Sequence, residues 1–163
     1  MTRTNNKVSE ITKTALIAAL YVVLTVAFIP LSYGPVQFRL SEMLNNMAIF
    51  NKRYIWGVTL GCLIANLWSS MGPIDMVFGT LQTLVMTWLS WYVGQHLSSV
   101  PAKLAGTVII CTLMSWAVAL ELNLVSEAPF WWTYLTVGVG EFVVVLIGAV
   151  IVWLINKKVD LSR

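Results

Sequence analysis

The run Phe130–Ile155, FWWTYLTVGVGEFVVVLIGAVIVWLI, decides the fold class, and one charged residue, Glu141, interrupts it. A helix rises about 1.5 Å per residue, so roughly 20 apolar residues cross about 30 Å of hydrocarbon. This run exceeds that length. A soluble helix so apolar would have no polar face to turn to water. The stretch therefore predicts a membrane-spanning helix with a single ionisable group inside it.

The remainder of the chain has the same character. Of its 163 residues, 58% are hydrophobic and 10% are charged, and the mean hydropathy is +0.81. That leaves too few polar residues to coat a soluble domain. Six apolar segments stand out, at Ile11–Ile29, Val36–Phe50, Tyr54–Trp68, Asp75–Leu97, Ala102–Leu124 and Phe130–Ile155. Breakers separate them: Pro30, Gly34-Pro35, Gly72-Pro73, Pro101 and Ala128-Pro129. The second and third are short for full crossings, so they must tilt, thin the bilayer or lie partly inside the bundle. The expectation is an all-α membrane domain over residues 1–163, a bundle of six transmembrane helices. The first apolar run lacks a small-residue cleavage site and reads as a retained helix.

Charge placement orients the bundle. Nine of the ten lysines and arginines fall in the N-terminal tail (Arg3, Lys7, Lys13), the second connector (Lys52, Arg53), the fourth (Lys103) and the C-terminal tail (Lys157, Lys158, Arg163). Arg39 alone lies on the other side. Basic residues favour the cytoplasmic face, so both termini are expected there, and the basic excess marks topology rather than nucleic-acid binding. Cys62 and Cys111 match no metal or redox spacing and read as buried packing. No nucleotide-binding glycine loop is present, so the chain has no recognisable means of using ATP by itself. No Ser–His or Cys–His arrangement appears either, and His96 lies toward the cytoplasmic side. No catalytic residue, metal site or cofactor is expected.

A charged side chain at the centre of a membrane helix costs roughly 2.5–3.5 kcal/mol on insertion scales, so such residues need partners, water or a ligand. Here the polar ones gather toward the outer side: Arg39, Glu42, Asn45, Asn46, Asn66, Asp75, Gln82, Glu121, Asn123 and Glu141. Helical spacing aligns Arg39 with Glu42 and Asn46, Asp75 with Gly79 and Gln82, and Trp131 with Tyr134, Gly138 and Glu141. Plainer readings stand beside a binding site: an Arg39–Glu42 pair, Asp75 as a helix cap, and Trp131 and Trp132 as interfacial aromatics. Acids outnumber Arg39 on this side, which favours a cationic or donor-rich ligand. The aromatic supply favours a flat ring. Small residues recur four apart at Ala15 and Ala19 and at Gly57, Gly61 and Ala65, a spacing that lets helices approach closely. For the second set ordinary internal packing suffices; for Ala15 and Ala19 the pattern leaves internal packing and docking to a partner open.

Together these features resemble the substrate-binding (S) components of energy-coupling-factor transporters, six-helix proteins with an A-x-x-x-A step on the first helix. More narrowly, YGPVQFRLSEML (Tyr33–Leu44), GCLIANLWS (Gly61–Ser69) and DMVFGTL (Asp75–Leu81) resemble the QueT family of queuosine-precursor transporters, and the likeness covers essentially the whole chain. The resemblance implies a multi-pass protein of a prokaryotic cell membrane that takes up a 7-deazaguanine, such as 7-aminomethyl-7-deazaguanine. It implies partnership with a membrane scaffold subunit and two ATPases, with the S component toppling in the bilayer to release cargo inside. Ala15 and Ala19 would then meet the scaffold. The residues themselves supply the ligand roles: two acids from Glu42, Glu121 and Glu141 for the two cationic or donor ends, Trp131 or Tyr134 for the ring face, and Asn66 and Gln82 for the carbonyl or ring nitrogens. Arg39 serves as partner to the acidic site, and Asp75 is counted among the substrate-binding residues. Rival readings are an S component for a pterin or thiamine fragment, a small membrane enzyme using Glu141 and Glu121, and an oligomeric channel or structural subunit.

Overall fold

The structure is a computed structural model that describes residues 2–33 and 37–162, with side chains from Val8 onward. Gly34, Pro35, Val36 and Arg163 lie outside the described residues, as do the side chains of Arg3 and Lys7. Every secondary-structure element among the described residues is helical: α1 (Thr2–Ala27), a short α2 (Ile29–Ser32), a ten-residue 3₁₀ helix (Leu40–Ile49), α3 (Lys52–Ala65), a 3₁₀ turn (Asn66–Trp68), α4 (Pro73–His96), α5 (Val100–Met114), α6 (Trp116–Ser126) and α7 (Phe130–Asn156).

Local chemistry explains the ends. The Asn51 side chain accepts from the Arg53 amide and opens α3. The Ser99 hydroxyl accepts from the Ala102 amide and opens α5. Pro30, Pro73 and Pro101 occupy first turns, where a missing amide proton costs nothing. Gly72 takes the left-handed φ of +62° that precedes α4, a conformation that a side chain disfavours.

Among the described residues, three stretches are long and apolar enough to cross a membrane: Val8–Ala27, Val100–Ser126 and Phe130–Asn156. The middle one is a kinked rod. Its break falls at Ser115, whose hydroxyl donates to the Thr112 carbonyl at 2.5 Å, and such back-bonding bends helices. α4 matches these helices in length but buries a polar face of Asp75, Gln82, Thr83, Thr87 and Ser90. Large apolar side chains cover the outside, among them Leu135, Val139 and Phe142 on α7. That exposure is costly in water and neutral against lipid tails.

The second segment departs from the expected α-helix over Val36–Phe50. It is 3₁₀ from Leu40 to Ile49, about 20 Å long at 2.0 Å per residue, and none of its residues is exposed. It lies at the centre of the molecule, packed by α1, α3, α4, α5 and α7. Gly148 permits its contact with α7: a Cβ there would sit 2.6 Å from the Met43 Cα. One apolar cluster, including Tyr21, Leu44, Val58 and Cys62, joins the segment to α1 and α3. Another, including Ile49, Met86, Val108 and Val145, joins it to α4, α5 and α7.

The two small-residue stripes separate clearly. Gly57 and Gly61 face α1, where added Cβ atoms would meet the Thr14 carbonyl at 2.9 Å and the Tyr21 Cβ at 2.6 Å. This is close helix packing of the ordinary kind. Ala15 and Ala19 lie on the opposite, exposed side of α1.

Candidate ligand-binding site

Arg39, in extended backbone conformation, immediately precedes the 3₁₀ helix and is 6% exposed. Its Nη2 donates to both Oδ1 and Oδ2 of Asp75 at 3.0 Å, and its guanidinium lies 5.0 Å from the centre of the Tyr33 ring. Asp75, in the first turn of α4, is 1% exposed and makes no capping bond. Both plainer readings of these residues therefore give way to one tertiary pair: Arg39 does not pair with Glu42, and Asp75 does not cap. Asn66 braces the arrangement by donating to the Asp75 carbonyl at 2.9 Å. The Tyr33 hydroxyl donates to the Ala65 carbonyl at 2.7 Å and to Asn66 Oδ1 at 3.3 Å, and burial pushes its phenol up to about 12 against the opposing pull of Arg39. Gly79 leaves room for all of this, since a Cβ there would lie 2.7 Å from Asn66 Nδ2 and 3.1 Å from Asp75 Oδ1.

Glu42 is held differently. Its Oε1 accepts from the Tyr21 hydroxyl and its Oε2 from Asn45 Nδ2, each at 2.5 Å. The 3₁₀ geometry explains the second bond, because residues three apart eclipse in a 3₁₀ helix. The α-helical alignment of Glu42 with Asn46 is replaced by Glu42 with Asn45. Asn46 turns instead to α7, donating to the Val145 carbonyl at 2.9 Å.

Arg39, Glu42, Gln82 and Glu141 wall one cavity, together with Gln37, Gly79, Thr83, Met86, Ser115, Val118 and Val137. The cavity is about 20 Å³, space for about one water. Glu141 Oε1 and Gln82 Oε1 are buried there without a hydrogen-bond partner among the described residues. Each residue is 9% exposed. Glu121, on α6, is fully buried with both carboxylate oxygens unpartnered among the described residues, but it does not line the cavity.

The structure does not bring Trp131 and Tyr134 to this place. Trp131 is 78% exposed, and both aromatics line a separate apolar groove with Leu135, Val139 and Phe142. The Tyr134 hydroxyl donates across it to the Leu113 carbonyl at 3.3 Å. The proposed stripe diverges for a geometric reason: ten positions along a helix leave Trp131 about 80° from Glu141, off the face that buries Thr133, Val137, Glu141 and Val144. Spacing alone missed Tyr21, Gln37, Thr83 and Ser115. The Tyr21 and Thr25 pair, four apart in an apolar helix, was the available signal: Thr25 donates to Ser41 Oγ at 2.7 Å, beside the Tyr21–Glu42 bond. Gln37 stands in the YGPVQFRLSEML stretch that carries the family resemblance, and the structure adds its left-handed φ of +47°. Among the described residues no group of His, Cys, Asp and Glu is arranged to hold a metal.

The sequence profile described as QueT transporter matches residues 11–157. The chain is 40% identical, over 97% of its length and 98% of the relative's, to a protein of Lactococcus lactis subsp. cremoris (strain MG1363) described as queuosine precursor transporter QueT. No solved structure matches the chain significantly.

Proposed function

From a chain that belongs to the QueT transporter family, we propose a substrate-binding component that captures a 7-deazaguanine precursor of queuosine for an energy-coupling-factor importer. The observation that carries this reading is the buried polar cavity, where Glu141 and Gln82 offer unpartnered acceptor oxygens beside Arg39 and Glu42. A deazaguanine is flat and rich in donors, and its aminomethyl form is cationic, so its chemistry complements an acceptor-rich wall. At about 20 Å³ the cavity is contracted, and a ring enters only when the 3₁₀ helix, α4 and α7 part. With six crossings and both termini cytoplasmic, this end of the bundle faces outward, and the protein sits in the cell membrane as a multi-pass subunit. The scaffold subunit and two ATPases supply the drive. The exposed side of α1 at Ala15 and Ala19 supports docking there, because small residues let a partner helix approach closely.

Mass spectrometry of the small molecule that co-purifies with the protein tests the ligand. A 7-deazaguanine is expected; a pterin or thiamine fragment, or no ligand at all, would overturn the assignment. For the docking face, Ala15→Trp is expected to abolish cellular uptake while the purified protein still binds. Loss of both would show that α1 at Ala15 serves the fold instead.

A further inference from the structure

Resting on that reading, we propose a division of labour inside the cavity: Glu141 receives the ligand's cationic amine, Gln82 receives a ring N–H, and Glu42 is a positioning residue that does not touch the ligand. The three acceptors line one cavity and are nearly equally buried, so depth does not separate them, nor does charge separate the two acids. Their partners do. Both Glu42 oxygens already take a donor, from Tyr21 and from Asn45; the Tyr21 bond ties α1 to the central 3₁₀ helix, and the Asn45 bond lies within that helix. Arg39, the one cation lining the cavity among the described residues, is committed to Asp75. The Oε1 atoms of Glu141 and Gln82 are desolvated with nothing donating to them among the described residues, a state that a buried acceptor leaves favourably when a donor arrives. They come from different helices, α7 and α4, so a ligand spanning the cavity meets both. A carboxylate suits an ammonium through a charge-assisted hydrogen bond, whereas a neutral amide oxygen suits a ring N–H. The site thus selects a flat heterocycle with a cationic substituent and a separate ring donor, and it discriminates against anionic rings.

The test uses the purified full chain in detergent, with calorimetric titration of 7-aminomethyl-7-deazaguanine and of its 7-methyl analogue, which lacks the amine. Glu141→Gln is expected to weaken the aminomethyl ligand about tenfold or more, yet the methyl analogue by no more than about threefold. Equal losses for both probes, or none, would overturn the role of Glu141. Gln82→Ala is expected to weaken both probes about equally, since both keep the ring N–H; unchanged binding of both would overturn its role. Glu42→Gln is expected to keep binding of both within about threefold of wild type. The amide oxygen it introduces still accepts from Tyr21, and Asn45 can turn its own unpartnered Oδ1 toward the new N–H. Glu42→Ala, which has no such rescue, is expected to lower the unfolding temperature. Glu42→Gln losing as much affinity as Glu141→Gln would make Glu42 a ligand contact and sink the division. Wild-type protein that binds neither probe would sink the ligand reading and this inference together.

Discussion

Arg39 and Arg53 are almost equally buried, at 6% and 5% exposure, and they serve opposite ends of α3. Arg53 stands in its first turn, and Arg39 lies beside Asn66 at its end, about 20 Å away along the axis. Each pairs with one acid, but the surroundings differ. Arg53 meets Glu10, which is half exposed, and donates to the Ser162 carbonyl in the C-terminal tail. Tyr54 and Asn51 fasten the same tail through the Leu161 and Ser162 carbonyls. That end is a clasp, a cation shared between an acid and a main-chain oxygen at the protein surface. At the other end Asp75 is 1% exposed, and beyond the pair lie the buried acids Glu42, Glu141 and Glu121. The same residue type closes a tail in one place and anchors an acceptor-rich cavity in the other. Solvent access to the partner acid and the number of acceptors left over make the difference.

The comparison breaks most sharply at Asp75. Asp75→Asn leaves the Arg39 charge buried and unpaired, which is expected to cost about 3–5 kcal/mol, read as a fall in unfolding temperature in detergent. Replacing both partners, as Arg39→Met with Asp75→Leu, is expected to recover most of that loss without restoring ligand binding. A small effect of Asp75→Asn would mean that water reaches the pair. Next in size is Gly79→Ala, whose new methyl would push on Asn66 and Asp75. About 1–3 kcal/mol of destabilisation is expected from this overpacking, with ligand affinity falling in parallel. The smallest effect belongs to the clasp. Glu10→Gln removes an exposed partner and is expected to change stability by less than about 1 kcal/mol. A loss there as large as at Asp75 would erase the distinction between the two ends.

The chain's own pattern was enough for membrane helices, for the gathering of ionisable residues at one end, and for the internal role of Gly57 and Gly61. Periodicity reports which residues share a helix face, provided the helix type is known. Where the type changed, the reading changed with it. The 3₁₀ geometry of Leu40–Ile49 set Asn45 against Glu42, and the break at Ser115 divided one expected helix into two. The Trp131 stripe failed for a related reason, because it straddles the edge of the buried face of α7.

What the sequence determined by itself is therefore the solvent, lipid rather than water, and the list of residues too costly to bury alone. Both follow from composition and from the length of apolar runs, which any fold of this chain must accommodate. Which of those residues satisfy one another was decided only by the tertiary structure. Arg39 finds Asp75 across 36 positions, and Glu42 finds Tyr21 across 21. Hydrogen bonds and ion pairs act over a few ångströms, and only packing brings residues so far apart in the chain within that range. The same packing leaves Glu141 and Gln82 with acceptors to spare.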